Sequence, residues 1–480
     1  MDRREGHERE VAELAGARMP SDRGLAALGL IMQLGGSIFL GCMALVAVVI
    51  GFGSGSFAAI LVGSAGAVRS AFHRAAGSAL VYGSPRGLLR PTWTYIGVAL
   101  AQTALTLVVF NKSGVPAGVT LTLALLLLAW PLTLLVVLTR PRLRVLAADD
   151  VLPPSEDMGF EGAAALMVLF GMMGSLVALF MLYAAFAGPG GSLASAHALL
   201  LIGVFAMLLA RSVLHTMAGV RGTRGIDSDG ATLAAARYFG FGVVSSVITG
   251  GALLILFMMG GGPVVGLHPL MLLGMATVVY LLLSWPMILR RFYTERNFSA
   301  LLAGAEGPSY VRAPDAGMTA IGWLLLAASA LQLGLALPGL ISGPDFLPSL
   351  ASLDGLGGPG LADIPFRPRS PWWSIGTGAV QLWAALELIH MTDRHRMAAT
   401  IYGGLSSVVA TYVMWPELRQ LERMAFGSMD GFATVAAYFQ IALCLVLPVG
   451  TMILANRKLL PTAQARMSGP RPDGSGPAIL

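Results

Sequence analysis

The segment ALLLIGVFAMLLARSVLHTMAG, residues 198–219, is apolar or small at almost every position until Arg211 and His215. A helix rises 1.5 Å per residue, so about 20 such residues cross a hydrocarbon core roughly 30 Å thick. Every backbone N–H and C=O in lipid needs a partner within its own helix or within a closed barrel, and a continuous run of this length selects the helix. The end of this segment is also a signature. RSVLHTMAG (211–219) has a counterpart in RSAFHRAAG (69–77) and a more distant one in LELIHMTDR (386–394), which brings His73, His215 and His390 into register.

Further landmarks repeat around these motifs in the same order. After each histidine segment comes an aromatic-plus-glycine start, at Tyr95 to Gly97, Tyr238 to Gly240 and Tyr402 to Gly404. A proline-interrupted apolar run follows, LLLAWPLTLL at Pro131, LLLSWPMILR at Pro286 and LCLVLPVGTM at Pro448. Before each comes a small, polar stretch, at Gln33 to Ser37, Gly171 to Ser175 and Gln332 to Gly334. Internal repeats decide an architecture, and these predict an all-α transmembrane bundle of about 12 spans made of three tandem four-helix units. The expected spans are 25–50, 56–78, 93–110, 117–138, 162–186, 196–217, 235–259, 268–289, 317–340, 372–391, 398–415 and 432–454. The units run over 25–161, 162–316 and 317–456, between tails at 1–24 and 457–480. With an even number of spans per unit, successive copies enter the membrane in the same sense, unlike inverted-repeat transporters.

Composition agrees. Of the 480 residues 56% are hydrophobic and 12% charged, with mean hydropathy +0.74; a soluble domain carries about 25% charged residues. The net charge of +6 is spread between apolar runs and not gathered with aromatics on one face, so nucleic acid is not the expected partner. Positive charge is retained in the cytoplasm. With both ends there, that side holds nearly all the arginines, and the other keeps Lys112, Arg367, Arg369, Arg419 and Arg423. Arginine far outnumbers lysine, as in chains from GC-rich bacterial genes, which points to a bacterial inner membrane. Trp93, Trp323, Trp372, Trp373 and Trp415 fall near span ends, as an interfacial aromatic belt requires. Cys42 and Cys444 stand far apart inside apolar runs and form no CxxC or disulfide framework.

Few polar side chains fall inside the spans. His73, His215 and His390 lie on equivalent helices and could together hold a divalent metal; the plainer reading sets each at headgroup level. Arg69 and Arg211 stand one turn before their histidines, as snorkelling topology anchors or as contacts for anionic lipid headgroups at the cytoplasmic face. Glu387, the acid inside a span, lies one turn before His390 and is expected in an interfacial contact with histidine or arginine. Gln102 and Gln381, with Gln33, Gln332 and Gln440, suit interhelical hydrogen bonds or the lining of a polar pathway. The mid-span prolines each free a carbonyl that a neighbour must satisfy.

No nucleophile–base motif, metal-spaced cluster or cofactor fingerprint is present, so an enzyme is not expected. The leading expectation is a permease-like protein, and the competing one a non-transporting sensory, regulatory or assembly protein. Polar residues reached by water would mark the first, and a packed centre the second. Reporter domains fused to the two ends should both signal from the cytoplasm; signals from opposite compartments would contradict an even number of crossings.

Overall fold

The structure, a computed structural model, describes residues 24–52, 55–82, 85–112, 117–138, 159–187, 196–223, 230–259, 269–295, 316–342, 371–390, 392, 394–425 and 431–456. The two tails up to residue 23 and from 457, the connection at 343–370 and Gly260 to Gly262 lie outside the described residues. Twelve α-helices are present among the described residues, with no strand. They are α1 (Leu25–Leu45, continued by a π-helical turn Val46–Phe52), α2 (Phe57–Tyr82), α3 (Pro85–Lys112), α4 (Ala117–Leu138), α5 (Phe160–Ala187) and α6 (Ala196–Gly222). The remainder are α7 (Ala231–Met259), α8 (Pro269–Glu295), α9 (Ala316–Ser342), α10 (Pro371–His390), α11 (His395–Ala425) and α12 (Gly431–Asn456).

Each expected span falls on one helix. Seven helices, α1, α3 and α5 to α9, are long and apolar enough to cross a membrane, and shorter apolar stretches occur at Leu123–Val136 in α4 and Cys444–Asn456 in α12. Such helices make this a multi-pass membrane protein in contact with lipid. The large apolar side chains on its outside, among them Val108, Leu179, Val247 and Val408, are exposed for the same reason.

The packing places α1, α5 and α9 against one another at the centre. Each is paired with the helix that follows it, and that helix packs in turn on the next. The ring closes through the remaining helices: α8 packs on α1, α4 on α9 and α12 on α5. Leu28, Met32, Leu166, Met167, Leu325 and Leu326 fill the centre and are almost wholly buried. Trp323 joins them at 0% exposure, so it does not belong to the aromatic belt expected of it; α9 turns that face inward, toward the start of α1. Trp93, Trp372 and Trp373 are exposed as a belt requires, and the Trp415 side chain lies outside the described residues.

Glycines set how closely the helices pair. A Cβ at Gly77 would stand 2.6 Å from the Gly29 carbonyl oxygen, and one at Gly219 would stand 2.8 Å from that of Ala164. These are the last residues of the RSAFHRAAG and RSVLHTMAG motifs. Small residues there let the α1–α2 and α5–α6 backbones touch, as helix association in lipid favours. Gly24 is fixed twice over, by φ 73 and by Thr319 Oγ1 at 2.7 Å from the position of a Cβ. By contrast, a Cβ on Gly97 meets nothing within 4 Å. Gly77→Val should therefore cost about 1–3 kcal/mol through overpacking, and Gly97→Val under about 0.5 kcal/mol. Unfolding of both variants in micelles checks this; equal losses would contradict the close α1–α2 approach.

Candidate functional site

A proline has no N–H to give to the carbonyl four residues earlier. Pro131 in α4 therefore leaves the carbonyl of Leu127 without its helical partner, and Pro286 in α8 does the same to Leu282. Both carbonyls are met by arginine. Arg69 Nη2 donates to the Leu127 oxygen at 2.5 Å, and Arg211 Nη2 to the Leu282 oxygen at 2.5 Å. Taking the helices in groups of four in chain order (α1–α4, α5–α8, α9–α12), the other terminal nitrogen reaches the third helix of the group: Arg69 Nη1 donates to Gln102 Oε1 at 2.9 Å and Arg211 Nη1 to Ser246 Oγ at 3.0 Å. Tyr95 and Tyr238 stand near the same two guanidinium groups. One side chain on α2, or on α6, thus joins three helices.

Local structure explains the aim. Arg69 and Arg211 sit well inside their helices, more than two turns before Tyr82 and Gly222. A guanidinium presents five donors in a rigid fork, which suits several oxygen acceptors at once. Both arginines are half-buried, and they point across the bundle instead of snorkelling outward as topology anchors would. Neither faces a carboxylate among the described residues, so neutral oxygens alone hold them.

The histidines one turn later extend the same contacts. His73 meets the Tyr95 ring edge-on at 4.6 Å, and His215 stacks on Tyr238 at 4.3 Å. Trp285, the residue before Pro286, donates from Nε1 to His215 Nε2 at 2.9 Å. An indole N–H can only donate, so this imidazole accepts at Nε2 and carries its proton on Nδ1. That bond engages the lone pair a metal would need. Among the described residues no group of three or more His, Cys, Asp or Glu side chains is placed to hold a metal ion, and His73, His215 and His390 are not assembled into one. The reason is topological: α2, α6 and α10 stand outside the α1–α5–α9 centre, each against its own neighbours.

The third group lacks the arginine contact. Counting from its landmarks, Leu386 stands where Arg69 and Arg211 stand, Val409 and Ala410 where Gln102 and Ser246 stand, and Leu447 where Trp130 and Trp285 stand. There α11 and α12 come close, a Cβ on Gly403 lying 2.9 Å from the Pro448 carbonyl oxygen, much as one on Gly242 of α7 would lie 3.0 Å from Pro286 Cγ of α8.

Of the other expected polar residues, Gln33 is 2% exposed with its Nε2 lacking a hydrogen-bond partner among the described residues, and the others whose side chains are described are engaged locally. Gln102 is 6% exposed and also donates from Nε2 to Thr106 Oγ1 at 3.0 Å. Gln381 is 3% exposed and donates to the Leu325 carbonyl of α9 at 3.3 Å. Gln332 bonds the Ser374 carbonyl and Thr377 hydroxyl of α10. Glu387 closes the end of α10, accepting from Trp383 Nε1 at 3.0 Å and from the Thr392 hydroxyl. The Gln440 side chain lies outside the described residues. The sequence marks the freed carbonyls and, separately, the arginines, but not that one answers the other. The simultaneous loss of Arg, its polar acceptor and Trp in the third group is the signal that links them.

No family model, no curated protein and no solved structure matches the chain.

Arg69→Met should cost about 2 kcal/mol, since it leaves a buried carbonyl and an amide oxygen without donors. In a Pro131→Ala background residue 131 regains its N–H for Leu127, and the same substitution should cost under half as much. A double-mutant cycle on unfolding in micelles measures the coupling; additive effects would contradict the link between arginine and proline.

Proposed function

We propose that this chain is a non-transporting integral membrane protein, a braced helical scaffold that serves as a regulatory or assembly component and not as a permease or an enzyme. One observation carries the reading: Gln102 and Gln381, the polar residues best placed to line a pathway, are buried and hydrogen-bonded between helices. The packed apolar centre supports it. A shallow groove bounded by Ser407, Val408, Thr411 and Tyr412 lies on the outer face of α11, away from that centre.

In this reading the chain crosses the membrane twelve times as three head-to-tail copies of one four-helix unit, arranged about a pseudo-threefold axis along the membrane normal. The cyclic packing of each fourth helix on the first helix of another group supports the arrangement, as do the paired contacts of Arg69 and Arg211. Both termini lie on the cytoplasmic side of a bacterial inner membrane, in keeping with the arginine-rich connections on that side.

Accessibility tests the choice between scaffold and permease. In a background with Cys42→Ala and Cys444→Ala, Gln102→Cys and Gln381→Cys should resist a membrane-impermeant maleimide in intact vesicles, added from either side. Rapid labelling at either position would reveal a water-filled path and return the protein to the transporters.

A further inference from the structure

Arg74, Arg90, Arg237, Arg290, Arg394 and Arg396 are exposed, and none has a carboxylate partner among the described residues. Five lie on five helices and Arg394 just before α11, yet topology gathers them at one end of the bundle. That end holds the close of α2, α8 and α10 and the start of α3, α7 and α11. Contacts confirm the level: Arg291 lies over the Tyr82 ring at 4.7 Å, and a Cβ on Gly322 of α9 would lie 2.9 Å from the Ile389 nitrogen. At the opposite end Lys112 is the exposed cation whose side chain is described.

Their neighbours fix the depth. Trp93 lies one turn from Arg90, Met287 one turn from Arg290 and Met397 one turn from Arg394, all large, apolar and exposed on the same helical faces. Arg90, Arg290 and Arg394 therefore stand beside exposed apolar side chains near helix ends, at the height of lipid headgroups. The residues are spread round the circumference and do not form a patch such as a folded partner would need.

We propose that these six arginines form a collar that binds the phosphate groups of anionic lipids in one leaflet. Charge complementarity selects the ligand: an arginine fork takes a phosphate through two parallel N–H···O bonds, and each basic residue near an anionic surface strengthens attachment about fivefold. Acidic lipids should accordingly be enriched around one end of the protein, whether or not anything crosses its centre.

The full chain, reconstituted in phosphatidylcholine vesicles holding a minor fraction of phosphatidylglycerol and re-extracted with its bound lipid, tests this. Phosphatidylglycerol should be enriched several-fold over its bulk ratio. The enrichment should fade in high salt, vanish when all six arginines become Gln, weaken but stay above the bulk ratio when they become Lys, and ignore Lys112→Gln. Should the sixfold Gln variant not fold, Arg90→Gln and Arg394→Gln singly should each lower the enrichment. A bulk lipid ratio on the unaltered protein, or enrichment unmoved by any Arg→Gln change, would overturn the collar. So would binding of soluble polyglutamate without lipid enrichment, which would assign it to an acidic protein partner.

Discussion

In lipid a backbone carbonyl without a donor is costly, and no water is present to supply one. Pro131 and Pro286 create such carbonyls at Leu127 and Leu282, and the rest of the two groups is arranged around meeting that need. Arg69 and Arg211 are the donors. An arginine in a membrane carries its own penalty, which the amide of Gln102 or the hydroxyl of Ser246, with the nearby tyrosine, helps to offset. Two unfavourable features, a broken helix and a half-buried charge, thus become one three-helix joint. The same joint keeps the fourth helix against its own group while its other face packs on the first helix of another.

The third group shows what happens without the pair. Leu386 stands at the donor's place and Val409 and Ala410 at the acceptor's, and α11 lies close to α12 at Gly403. Its second helix ends at His390, where Glu387, Trp383 and Thr392 finish it with local hydrogen bonds. The chain therefore contains its own comparison: where the arginine is absent, the polar partner and the tryptophan are absent too.

The helices themselves are legible because continuous apolar runs leave a chain in lipid no alternative, and every expected span falls on a helix. The signature glycines Gly77 and Gly219 are legible as landmarks, and the close helix approach they permit gives them a physical purpose. Direction is harder to read. Apolar residues surround each helix, so periodicity does not say which face turns inward, and Trp323 reads as interfacial although it sits in the centre. The helical spacing of Glu387 to His390 suggests a charged partner, yet a helix that stops at His390 brings the Thr392 hydroxyl nearer. Arg69 and Arg211 read as anchors because they lie close to motif ends. The helices continue to Tyr82 and Gly222, which sets both arginines deeper and within reach of the carbonyls.

The central claim is that a guanidinium replaces the N–H that proline withholds, and the most direct measurement is the dipolar coupling between them. With 13C at the Leu127 carbonyl and 15N in the Arg69 guanidinium, solid-state magnetic resonance on the protein in bilayers should show a strong through-space coupling between the two nuclei. Absence of that coupling, with Leu127 resonating like an ordinary helical carbonyl, would contradict the account.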